Sequence, residues 1–192
     1  VVSLAPGKLK AMTPTQCSTS RSVDLSNVII GSNQIEGIHF QGACTLTNVW
    51  WSVVCKDAFT IKLQDAGATA KISGGGAFGA TDKVLQHNSA GTMSVSDFTV
   101  GTFGKLYRAC GNCKNLYERY VIKDGITTLN GDLLAEINSN FGDTATITNT
   151  KATRVKEICT RFKGVASRSE PTEIGSGADG TNCIFGSDVF SS

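Results

Sequence analysis

The sequence predicts an all-β fold: a right-handed parallel β-helix in a single domain over residues 1–192. Three observations predict it. Two families of short segments recur together at about the length of one coil. Glycine supplies 21 residues and proline only 3, which suits many tight corners between strands that still need their N–H groups. Long amphipathic helix patterns are scarce.

The first family places a small polar residue before or among β-formers. It reads Asn27-Val28-Ile29-Ile30, Asn48-Val49-Trp50, Ser73-Gly74-Gly75, Asp97-Phe98-Thr99-Val100, Asp124-Gly125-Ile126 and Asn149-Thr150, at intervals of 21, 25, 24, 27 and 25 residues. The second runs through Glu36-Gly37-Ile38, Asp57-Ala58-Phe59-Thr60-Ile61, Asp82-Lys83-Val84-Leu85, Gly104-Lys105-Leu106-Tyr107, Leu134-Ala135-Glu136-Ile137 and Lys156-Glu157-Ile158-Cys159. Two registers repeating together describe successive strands of a coil. Asn88, Asn112 and Asn140 follow the second family and suggest a ladder of amides bonding from coil to coil. Residues 115–122 and 153–163 fit a helix only if forced. A β-sandwich is the alternative, but it needs hairpin turns between neighbours. The dipeptides suited to such turns, Asp124-Gly125 and Asn130-Gly131, exist, yet most strand candidates are not joined that way.

On such a scaffold Lys83 and Lys105, 22 residues apart, stack in one column with Arg108 close by. With no acidic run beside them, the three cations call for an anionic ligand. Adjacent strands lie about 4.8 Å apart. Two ammonium groups at that spacing repel by roughly 3 kcal/mol at an effective dielectric of about 20, which suits one of them to act as a base. Arginine keeps its proton and is better fitted to clamp a carboxylate.

The formal net charge of +2 gives no general affinity for nucleic acid or a membrane surface. No run approaches the roughly 20 apolar residues of a membrane span. The opening V-V-S-L-A-P-G-K shows no basic region followed by an apolar one, so no signal peptide is expected within it. Seven cysteines favour an oxidising compartment. Cys110 and Cys113 form a C-x-x-C pair, but His39 and His87 are the only histidines and no second such pair completes a zinc set. A short structural disulfide is expected ahead of zinc or a redox site, and the odd count leaves a thiol free or bonded outside the chain. Trp50 and Trp51 could serve as a sugar platform, although neighbouring strand residues face opposite ways and one should be core. The two histidines read as structural.

These residues sit in longer segments: I-I-G-S-N-Q-I-E-G-I-H (29–39), N-V-W-W (48–51), D-A-F-T-I-K (57–62), G-G-G-A (74–77), D-K-V-L-Q-H-N (82–88), F-G-K-L-Y-R-A-C-G-N-C (103–113), N-S-N-F-G-D-T-A-T-I (138–147) and V-K-E-I-C (155–159). Together they resemble the pectate lyases of polysaccharide lyase family 3, continuously from residue 29 to 159. The resemblance implies a parallel β-helix, secretion, and cleavage of polygalacturonate or pectin of the plant cell wall by β-elimination with calcium; a monomer is expected. It puts the uronate-binding and proton-abstracting cations on Lys83, Lys105 and Arg108, and calcium on Glu36 and Asp57.

Two departures bear on the metal. Where the family carries an aspartate and a glutamate after the Trp pair, this chain has Val53 and Lys56. Calcium takes about six to eight oxygen ligands. Val53 removes one carboxylate, and Lys56 turns a second into a cation. The calcium site is therefore expected to be altered, with the Lys56 ammonium standing in for the metal at the substrate unless Asp65 or Asp82 rebuilds it. The alternative function is a secreted, catalytically inactive relative that binds wall polysaccharide or a host protein.

Overall fold

The computed structural model describes residues 16–17, 23–34, 36–42, 44–166 and 168–192; the opening segment at 1–8 lies outside them. The strands in order are β1 (Gln16–Cys17), β2 (Val23–Ile30), β3 (Ile38–Gln41), β4 (Cys44–Trp51), β5 (Phe59–Leu63), β6 (Thr69–His87), β7 (Gly91–Ser96) and β8 (Thr99–Ala109). They continue as β9 (Arg119–Asp124), β10 (Thr127–Asn138), β11 (Thr144–Thr148), β12 (Thr150–Lys163), β13 (Thr172–Ser176), β14 (Cys183–Ile184) and β15 (Val189–Ser191). Among the described residues the one helical element is a 3-10 turn at Ser139–Phe141. Of the two stretches that could be forced into helices, 115–122 runs into β9 and 153–163 lies within β12.

Among the described residues every strand pairing is parallel except that of β12 with β13. β6 alone carries one full coil: it pairs with β4 and β7 near its start and with β5 and β8 near its end. The later coils split the same path between β7 and β8, β9 and β10, and β11 and β12. This is the parallel β-helix the periodicity describes.

Its first corner explains the recurring polar residue. Asn27, Asn48, Gly74, Asp97, Gly125 and Asn149 all have positive φ, between 47° and 66°. That left-handed conformation crowds an ordinary Cβ and favours Asn, Asp and Gly. The corner is also where the amide ladder lies. Asn48 Nδ2 donates to Asn27 Oδ1 at 2.8 Å, and Asn149 Nδ2 to Asp124 Oδ1 at 2.7 Å. The ladder expected at Asn88, Asn112 and Asn140 does not form: Asn88 takes a bond from Gln86, and Asn140 bonds the backbone of Gly164. A second left-handed corner, at Gly79, Thr102, Asn130 and Arg154, carries no recurring residue type that the sequence could show.

Inside, aligned positions make columns. One runs Leu46, Ile72, Val95, Lys123, Ile147 and another Phe59, Leu85, Tyr107, Ala135, Cys159. Trp51 is fully buried against Phe98, whereas Trp50 turns outward and lies parallel to Phe78, with centroids 6.2 Å apart. The two tryptophans therefore form no joint platform. Cys110–Cys113 and Cys159–Cys183 are disulfides, Cys44 is also disulfide-bonded, and Cys55 is an exposed free thiol. The C-x-x-C pair is thus a short disulfide rather than half of a zinc site.

Candidate active site

β6 and β8 run in register so that Lys83 pairs directly with Lys105, as the spacing of 22 residues predicts. Arg108 lies three residues further along β8, between Gln86 of β6 and Glu136 of β10. All three side chains are partly exposed, while Leu85, Tyr107 and Ala109 are buried in the core. The structure thus brings the three cations together.

It also corrects the expectation that they lack anionic neighbours. Lys83 Nζ pairs with the Asp82 carboxylate and lies 3.5 Å from Asp57 Oδ1. Lys105 pairs with Glu136, and Arg108 Nε donates to the same carboxylate at 3.0 Å. Glu136 is 2% exposed and the Lys83 side chain 12%, so these pairs are partly dry. Interleaved carboxylates offset the repulsion between the stacked lysines. Any anionic ligand would have to compete with a fixed carboxylate at each position. Sequence reasoning missed Glu136 as a site residue. Its one signal is its register with Arg108, 28 residues before it.

Glu36, Lys56 and His39 form the second part of the site. Glu36 Oε1 accepts from Lys56 Nζ at 2.8 Å, and Glu36 Oε2 lies 2.7 Å from His39 Nε2. The hydrogen bond from Lys56 holds the Glu36 carboxyl below its usual range, and the same bond raises the Lys56 ammonium above its own. Burial lowers His39, despite its glutamate partner. Asp57 is buried, and Thr60 Oγ1 donates to its Oδ2 at 3.5 Å.

These donors do not fit calcium. Both oxygens of Glu36 are engaged, Asp57 faces Lys83, and Val53 offers no donor. Asp82 is held by Lys83, and Asp65 sits in the turn between β5 and β6, where its carbonyl accepts the Ala68 N–H. Among the described residues no three His, Cys, Asp or Glu side chains gather as ligands. What the arrangement does offer is a row of cations for a carboxylate-bearing ligand, with Lys56 at its acidic margin.

The Pectate lyase family model matches residues 20–169. The chain is 54% identical over 162 residues to pectate lyase H of Emericella nidulans, covering 84% of this chain and 62% of that protein. It is 53% identical over 154 residues to pectate lyase E of the same organism, covering 80% and 60%. The chain therefore spans about three fifths of the length of these curated relatives. The catalytic domain of pectate lyase PelI from Erwinia chrysanthemi superposes with a TM-score of 0.73 at 30% identity, covering 92% of this chain and 99% of that one. The same enzyme in complex with tetragalacturonic acid matches with a TM-score of 0.70 at 31% identity, covering 88% and 68%.

Proposed function

The chain belongs to the pectate lyase family, and on that premise we propose that it cleaves polygalacturonate of plant cell walls by β-elimination as a secreted protein. The observation that carries the reading is the in-register stack of Lys83 and Lys105 with Arg108 beside it, partly exposed on a scaffold shared with an enzyme seen bound to tetragalacturonic acid.

β-Elimination removes the proton from C5 of a uronate, forms the C4–C5 double bond, and expels the glycosidic oxygen from C4. Negative charge grows on C5 and its carboxyl group. Arg108 is the residue to clamp that carboxylate, since its planar fork matches two oxygens and it stays charged. Lys83 and Lys105 offset the growing charge, and one of this pair is the residue to take the proton from C5. Lys56, exposed beside Glu36, adds a cation where a metal ligand is lost. These residues act without calcium, because the donor set around Glu36 and Asp57 does not fit it.

The test is the rate at which unsaturated uronate, read by its ultraviolet absorbance, appears from polygalacturonate with calcium and with chelator. Product that persists in chelator and disappears in Lys56→Ala supports this reading. Strict dependence on calcium removes the role given to Lys56. A folded sample that makes no product under either condition favours a second reading: a catalytically silent relative that binds wall polysaccharide. One observation speaks for that reading, namely that Glu136 occupies both Lys105 and Arg108.

A further inference from the structure

The row that begins with the cations does not end with them. Register carries the line Lys83, Lys105 on to Leu133 of β10 and Glu157 of β12, so its charge reverses within two rungs, each about 4.8 Å. Here an open groove of about 400 Å³ continues from Lys105. Leu133 and Phe162 give it an apolar lining. Strand β13, antiparallel to β12, sets Glu173 opposite Phe162 and adds a second carboxylate. The other charged pair along the groove, Asp132 with Lys156 at 2.7 Å, neutralises itself. Glu157 and Glu173 carry no ion pair among the described residues. Thr160 also lines the groove. It is 3% exposed and sets a polar side chain in the lining.

We propose that this groove is a subsite for methyl-esterified galacturonate, so that the chain prefers a substrate whose free acid lies over Lys83, Lys105 and Arg108 and whose esterified residues lie over Leu133, Glu157 and Glu173. The inference rests on the uronan reading above. A polymer following the row meets two unpaired carboxylates immediately beyond the cations. A free uronate there meets like charge, whereas a methyl ester removes that charge and offers its methyl group to Leu133 and Phe162. The sugar hydroxyls retain Thr160 as a partner.

The experiment is calorimetric titration of the full chain, in chelator at low salt, with hexagalacturonate and with its partially methyl-esterified counterpart. It is repeated on Glu157→Gln, Glu173→Gln and the double variant. Removing each charge should strengthen binding of the free-acid oligomer by roughly threefold, and the double variant by about tenfold. Affinity for the esterified oligomer should stay within about twofold. Unchanged free-acid affinity in both single variants overturns the inference. So does tighter free-acid binding on adding calcium that Glu157→Gln abolishes, since the groove would then hold a cation bridge rather than an ester. Assaying product from the same two oligomers separates the two ideas. Absence of product from both sinks the lyase reading, while the binding ratio still decides the subsite.

Discussion

Replacing Lys123 with methionine should stabilise the protein, and the gain should depend on pH. Lys123 is fully buried in β9, in the column between Val95 and Ile147. Its Nζ donates to the Leu134 carbonyl and lies 5.3 Å from the centre of the Tyr107 ring. Burial pushes the ammonium down to about 7. An unfolded lysine titrates near ~10.4, and the gap is worth about 4 to 5 kcal/mol. Methionine keeps the long unbranched stem. It loses a hydrogen bond of about 1 kcal/mol and a ring contact of about 1 kcal/mol. The net gain at pH 7 and below is then about 2 kcal/mol, or roughly 4 to 8 °C in melting temperature for a chain of this size. Between about pH 7 and ~10.4 the unfolded chain binds the lysine proton and the folded chain does not, so this group makes wild-type stability rise with pH. The methionine variant lacks that rise, and the two curves should converge as pH climbs. Denaturant unfolding of both proteins from pH 6 to 9 tests it. A variant less stable at pH 7, or a stability gap that ignores pH, would refute the reasoning.

The other predictions concern the site and its support. Lys83→Ala and Arg108→Ala should each lower kcat for polygalacturonate by about 100-fold or more while the fold persists, checked by product formation and circular dichroism. Glu136→Gln should release Lys105 and Arg108, lowering KM several-fold and costing about 1 kcal/mol or more of stability, measured by initial rates and thermal melting. Gly131→Ala would put a Cβ 2.0 Å from the ring of buried Phe103 and should destabilise by about 1 to 3 kcal/mol in denaturant titration.

What was legible in the sequence was whatever the coil repeats. Asn27, Asn48, Asp97 and Asn149 recur because one corner holds a left-handed conformation in coil after coil, and few side chains tolerate it. Lys83 and Lys105 could be paired from their numbers alone, because a strand register converts sequence spacing into adjacency. Strand alternation likewise separates inward Trp51 from outward Trp50. The second corner stayed hidden, since Gly79, Thr102, Asn130 and Arg154 share the backbone conformation but no chemistry.

Alternation in Tyr120-Val121-Ile122-Lys123 already points Lys123 inward, yet a pattern cannot establish that a lysine is buried; the structure does, with Ile122 exposed on the other face. Nor does spacing give the charge balance of the site. Asp57 and Glu136 reach the cations from other coils, whereas Asp82 is the residue before Lys83, and Lys56 reaches Glu36 across 20 residues. The sequence by itself determined the repeat, the family and the row of cations, since each follows from local chemistry carried along a regular path. Only the tertiary structure decided which carboxylates hold those cations and where the row turns acidic, because side-chain pairing depends on distances that a one-dimensional repeat does not contain.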